Sequence, residues 1–204
     1  MHNLSAITAL NGTEPRIDQQ GPITLTEEPN FAMATVAARN GGQRATMSAI
    51  RRIIGSNAPK PGQFSGDNVT AFWMGPDQWM LEAPYHSHEM LFEQVIVEVK
   101  GKASVTEQSD GWCRFDMRGI GLASVMELLC PINMTKFKTG DAIRTSIDHL
   151  GCFVVCRNLE HLSKIGPRSS AQSLHHTLLT AMTSAYLLIS VNFNKKKRRS
   201  RAPL

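Results

Sequence analysis

Apolar residues recur at two different periods along this chain, and the alternation between those periods predicts its elements. Residues 31–39 (FAMATVAAR) read as a strand, and after Gly41 and Gly42 the positions Ala45, Ala49, Ile50, Ile53 and Ile54 take up a helical spacing that Gly55 stops. Residues 56–68, with Pro59, Pro61, Gly62 and Gly66, predict a loop. Strands are expected at 69–74 and 79–83, joined by Gly75-Pro76-Asp77-Gln78, whose Pro and Asp suit a tight turn. A helix capped by Ser87 runs to Val99 with Gly101 beyond its end, and residues 103–107 form the next strand.

The same grammar then partly repeats. Residues 112–117 read as a strand after Ser109-Asp110-Gly111, and Leu122, Val125, Met126 and Leu129 mark a helix over 120–130 that Pro131 ends. Residues 143–149 and 152–157 predict a hairpin around Gly151, with a further strand at 161–165. Ser169 and Gln172 have the spacing of a capping box opening a helix that reaches about Ala185. Strand, helix, strand, strand, helix, strand is the order of a split βαβ unit, so the predicted class is α+β, with two ferredoxin-like (split βαβ) halves forming one body. The expected boundaries are an irregular N-terminal arm at 1–21, a first half at 22–108, a second at 109–185 and an apolar, then basic tail at 186–204. The arm's apolar residues Leu4, Ile7 and Leu10 suit a partner groove.

Charge changes this picture less than the pI of about 9.2 suggests. Lys195, Lys196, Lys197, Arg198, Arg199 and Arg201 supply six of the 22 basic residues, leaving 16 basic against 17 acidic residues and a body of net charge −1. The body therefore does not read as a nucleic-acid binder, and the terminal run reads as a solvated end. Cys113, Cys130, Cys152 and Cys156 are too few and too irregularly spaced for a disulfide framework. With no leader-like start and no run near the roughly 18 apolar residues of a membrane span, the expected location is cytoplasmic.

Candidate chemistry is sparse. Gly119-Ile120-Gly121-Leu122-Ala123-Ser124 opens a helix after a strand, yet it has Ser124 where a dinucleotide loop has its third glycine, and Arg114, Asp116 and Arg118 interrupt the preceding strand. It reads as a strand-to-helix turn. Arg168, Ser169 and Ser170 place a cation and two hydroxyls at a helix start, a possible anion or interface site whose plain reading is an ordinary capped helix. Trp73 and Trp79 join them as candidate interface anchors, with core packing as the plain reading. His86, His88 and His149 lack a third ligand at metal spacing, and His175 and His176 face different ways on a helix. Cys113 or Cys152 with His149 and Asp148 is a weak nucleophile set, because cysteines in apolar strands are inert. No catalytic, cofactor-binding or metal residue is assigned.

The sequence nevertheless resembles one family over most of its length. ALNGTEPRIDQQGPITLTE from Ala9, AFWMGPDQWMLEAP at 71–84, SVTEQSDGWCRFDMRG at 104–119, RTSIDHLGCFVV at 144–155 and GPRSSAQSLHH at 166–176 are similar, in this order, to the gamma subunit of heterotetrameric sarcosine oxidase. The wider group resembles the folate-binding T-protein of glycine cleavage, which has a turn like Gly75 to Trp79 and a glycine opening a helix like Gly119. The resemblance implies a T-protein-type domain and an accessory subunit without catalytic residues. Its partners would be the alpha, beta and delta subunits of a complex that oxidises sarcosine to glycine, releases hydrogen peroxide and passes a one-carbon unit to tetrahydrofolate. FAD, FMN, NAD, tetrahydrofolate and zinc would lie on those other subunits. Residues 186–204 depart from the family's ending, as either a natural extension or a shifted reading frame would.

Two other functions compete with that reading. One is a stand-alone folate-binding or aminomethyltransferase-like domain, for which Arg168 would meet the glutamyl tail while no acid stands out for the pterin. The other is nucleic-acid binding through the tail. Because the tail alone carries the excess charge, truncation before Lys195 should move the isoelectric point from about 9.2 to near or below neutrality, which isoelectric focusing will read.

Overall fold

The computed structural model describes residues 6–199, with side chains described through Leu188. In chain order the strands are β1 (Ile17–Gln20), β2 (Ile23–Glu27), β3 (Phe31–Ala38), β4 (Phe64–Gly66), β5 (Thr70–Gly75), β6 (Gln78–Pro84), β7 (Ala103–Glu107), β8 (Trp112–Gly119), β9 (Ala142–Ile147), β10 (Leu150–Asn158) and β11 (His161–Pro167). The helices are α1 (Gln43–Ile54), α2 (Tyr85–His88), α3 (Leu91–Val99), α4 (Leu122–Leu129) and α5 (Ala171–Arg199), the last entered through a 3₁₀ turn at Arg168–Ser170. The class is mixed α+β with two antiparallel sheets, one ordered β4-β5-β6-β3-β7 and the other β1-β2-β8-β11-β10-β9.

Each sheet alternates its side chains between two apolar surroundings, which explains why so few strand positions are polar. In the first sheet Val36, Ala71, Leu81 and Ala34 face α1 and α3, packing on Ile50, Leu91 and Val95. In the second, Phe115, Met117, Val154 and Leu162 face α4 and α5, packing on Met126, Leu174 and Leu178. The remaining faces meet each other through Met33, Phe72 and Met80 from the first sheet and Phe153, Val155 and Ile165 from the second. The Phe72 and Phe153 rings lie 5.1 Å apart and tilted. The layers thus run helix, sheet, sheet, helix.

Several expectations need correction. The crossovers β3-α1-β5 and β6-α3-β7 each skip one strand of the first sheet, but in the second β11 lies between β8 and β10, so the two halves are not the same unit. Residues 17–20 of the expected irregular arm form β1, because β1 pairs with β2 from Ile17↔Thr26 to Gln20↔Ile23. In turn β2 pairs with β8, so a strand placed in the first half completes the second sheet. The loop at 56–68 contains β4, which pairs with β5 and bridges through Gln63 to Asp141 of the other sheet's edge. Ser87 caps no helix: its hydroxyl donates to Pro84 O at 3.2 Å, and the helix breaks between His88 and Leu91. The β9–β10 turn falls at Asp148 and His149, both with positive φ, ahead of Gly151, which lies inside β10. Helix α5 continues past Ala185 to Arg199, and Tyr186 lies against Gly21, where any side chain would collide with its ring. The part of the basic tail at 200–204, and the side chains of 195–199, lie outside the described residues.

Charged residues are buried on both faces of the second sheet. Glu82 of β6 crosses the intersheet space to Arg157 of β10, accepts from Thr70 at 3.0 Å and lies 3.5 Å from Arg114 Nη1 of β8. Arg114 also donates twice to Asp116, at 2.8 and 2.9 Å, and Asp116 meets Arg118 at 2.8 Å and His161 at 2.6 Å. Burial pushes the Glu82 and Asp116 carboxyls up, but their cationic neighbours outweigh it and both end below the usual carboxylate range. Lys164, on the helix-facing side of β11, is fully buried, and among the described residues its ammonium donates to Leu162 O alone, at 3.3 Å. Burial lowers its ammonium to about 7 against the partial compensation of Asp116.

That lysine sets a pH dependence with a definite sign. Between about pH 7 and the ordinary lysine range, the unfolded chain holds a proton that the folded chain has released, so stability rises with pH across this window. Below it the full desolvation cost is present. Lys164→Met should therefore stabilise the protein at pH 6, on the order of 1–4 kcal/mol, and flatten the rise between pH 7 and 10, as urea denaturation at several pH values will measure.

Candidate functional site

The 3₁₀ turn that leads into α5 is fixed to the turn before β8 and to the arm, and together they line an open cavity. Arg168 N–H donates to Gly111 O at 3.1 Å, and its guanidinium donates to Ile7 O at 2.9 Å with exposed Asp110 3.9 Å away. A cavity of about 720 Å³ is lined by Thr8, Asn11, Asp110, Arg168, Ser169 and Ser170. A second of about 440 Å³, on the other side of Ile7 and Thr8, is lined by Glu14, Phe31, Tyr85, Glu107 and Arg168. Beneath Ala9 a pocket of only about 10 Å³ reaches Glu27, Trp112 and Arg114. Arg168 lines all three, and the arm is the partition between them.

The arm's course follows from backbone hydrogen-bond demand. Its N–H groups leave the sheet, so they need acceptors elsewhere. Glu27, at the end of β2 and buried, supplies them: Oε1 accepts Leu10 N–H at 2.9 Å and Oε2 accepts Arg16 N–H at 3.2 Å. Thr8 N–H closes a local turn on Gly12 O at 2.9 Å. Arg16 grips Asp18 through two bonds, and Asp18 meets the buried His175 of α5 at 2.7 Å. Bonding to Arg16 lowers the Asp18 carboxyl.

The sequence-predicted residues separate into two places. Arg168, Ser169 and Ser170 come together at the cavity, but the expected Ser169 to Gln172 capping bonds are not formed among the described residues, because the 3₁₀ turn precedes the helix proper. Trp79 is buried between the first sheet and its helices, with its indole N–H on Pro59 O at 2.9 Å, and Trp73 is half-buried against the same cluster. Sequence reasoning missed Glu27 as the arm's clamp; its place after the alternating residues 23–27 was the available signal.

The other candidates take structural positions. Gly119 passes so close to Pro22 O that a side chain would collide, so this turn serves sheet packing. All four cysteines are buried, and burial raises Cys113 to about 12 and Cys152 and Cys156 to about 11, leaving no thiolate near neutral pH. Asp148 accepts from Thr177 at 3.0 Å. His175 is buried and His176 exposed, and among the described residues no group of three or more His, Cys, Asp or Glu could hold a metal ion. Among them also, no helix is long and apolar enough to cross a membrane.

No protein-family model and no curated protein matches the sequence. Among solved structures, the chain is similar to a chain of heterotetrameric sarcosine oxidase from Corynebacterium sp. U-96, solved in complex with pyrrole 2-carboxylate, with a TM-score of 0.72 at 21% identity over 83% of this chain and 88% of that one. It is also similar to the glycine cleavage system aminomethyltransferase T from Bartonella henselae, with a TM-score of 0.55 at 12% identity over 76% of this chain. The chain spans 45% of that protein. At these identities the likeness is one of fold, and it falls on the two kinds of protein that the sequence resembles.

If Glu27 and Arg168 hold the arm, Glu27→Ala should free residues 6–16 and cost about 1 kcal/mol, since two partly buried amides lose their acceptor. Arg168→Ala should loosen residues 6–9 with a smaller loss. Amide hydrogen exchange over the arm, beside thermal unfolding, will check both.

Proposed function

We propose that this chain acts as the gamma subunit of a heterotetrameric sarcosine oxidase, a structural subunit of a flavoenzyme complex. The observation that carries this reading is the two-way coverage: 83% of this chain matches 88% of one chain of that enzyme, so the likeness spans most of both chains. The site supports it, because the entrance to α5 offers an open rim that includes Ile7, 55% exposed.

In this role the chain's work is mechanical. Its two sheets and outer helices make a rigid body against which partner surfaces settle, while the reaction, oxidation of sarcosine to glycine with peroxide release and one-carbon transfer to tetrahydrofolate, proceeds on the alpha, beta and delta subunits. FAD, FMN, NAD, tetrahydrofolate and zinc belong there. The setting is cytoplasmic.

The aminomethyltransferase likeness keeps a folate-binding reading in view. Glu27 is the acid such a pocket would want, but both of its oxygens are occupied by the arm's amides. Folate binding would therefore need the arm displaced.

The isolated chain should be colourless and inactive on sarcosine, and after co-expression with the other three subunits it should co-purify in a yellow, active complex. Flavin absorbance and peroxide release read the outcome. Stoichiometric flavin on the isolated chain, saturable tetrahydrofolate binding by calorimetry, or failure to join the complex would each overturn the assignment.

A further inference from the structure

The near-neutral body hides a strong charge asymmetry. Residues 29–66 contain Arg39, Arg44, Arg51, Arg52 and Lys60 and no Asp or Glu, so this stretch carries +5. Outside it and outside the terminal basic run, 11 basic residues face 17 acidic ones, a net −6. The fold gathers the cations. Arg44 and Arg51 flank Met47 on α1 at spacings of three and four, which places all three on one stripe of the helix. Arg39 stands at the entrance to α1, and Lys102, whose carbonyl accepts Arg39 N–H at 2.9 Å, is exposed beside it.

This stripe is not used inside the molecule. The guanidinium groups of Arg44 and Arg51 have no hydrogen bond or ion pair among the described residues, whereas Arg52 is engaged by Glu98 of α3 at 2.9 Å. Met47 is 42% exposed between them, and on the adjacent α3 Ile96 and Val97 are 48% and 70% exposed. Glu93 is the other exposed acid of α3, so cations outnumber acids across the helix layer. A flexible apolar side chain bracketed by arginines is the composition of a protein interface: methionine adapts to an uneven surface, and arginine is enriched among residues that dominate binding.

We propose that the outer face of α1, centred on Arg44, Met47 and Arg51, is a docking surface for an acidic face of a partner protein with an apolar centre that receives Met47. Charge complementarity identifies the occupant: a +5 segment attracts a negatively charged surface and steers its approach, while the methionine gives the contact a desolvated middle that a phosphate backbone would not reward. The proposal rests on the reading of the chain as a subunit, and it names the face by which that subunit is held.

The test uses the full chain co-expressed with the other subunits of a sarcosine oxidase. Arg44→Glu with Arg51→Glu should weaken association at least about tenfold at low salt, and Arg44→Gln with Arg51→Gln should weaken it less and flatten its salt dependence. Met47→Ala should weaken association at every salt concentration. All should leave the melting temperature of the isolated chain unchanged, and a control, Lys136→Glu with Lys138→Glu in the second half, should leave assembly intact. If the wild-type chain joins no partner, this proposal and the subunit reading both fall. If the wild type assembles and the double reversal assembles equally well, the docking face alone is overturned. Equal weakening by the control, or loss of double-stranded DNA binding with assembly preserved, would also overturn it.

Discussion

Glu82 is the residue on which the relative position of the two sheets depends. It reaches from β6 across the intersheet space to Arg157 and Arg114, which are anchored on different strands of the opposite sheet. A sliding motion of either sheet would leave a fully buried carboxylate beside apolar rings, and breaking such a pair costs roughly 3–5 kcal/mol. The apolar contacts around Phe72 and Phe153 supply attraction between the sheets, but attraction of that kind is non-directional. The ionic network adds a requirement of register.

That register propagates to the arm and the cavity. Glu82 holds β8 through Arg114, β8 begins just after Gly111, and Gly111 O holds the backbone of Arg168. Arg168 in turn holds Ile7, while β2, paired to β8, presents Glu27 to the arm. The N-terminal segment, which reads as an arm for a partner, thus has its own chain as its first partner. Its exposed Ile7 and the cavities on either side leave a rim for a second body to meet.

The expected grammar of strands and helices survived where periodicity was strong: β3, α1, β5, β6, β7, β8 and α4 lie where apolar spacing and the stops at Gly55 and Pro131 put them. Short elements held mainly by pairing were not legible. β1 is exposed or half-buried along its whole length, so IDQQ shows no apolar alternation, and β4 is a three-residue strand that exists because Phe72, Ala71 and Thr70 lie opposite it. Arg168 was visible as a cation at a helix start, whereas Trp79 was an interface candidate only until the sheet's helix-facing side covered it.

The sequence by itself determined the α+β class, the apolar stripes and the isolated charge of the terminal run, because each depends on residue type and near spacing. Tertiary structure alone decided which sheet received β2, where β11 was inserted, that Glu82 and Arg157, 75 positions apart, would form a pair, and that Glu27 would serve the arm. Local preference acts over a few residues, while these outcomes required a buried charge or an unpaired amide to find a partner brought near only by folding.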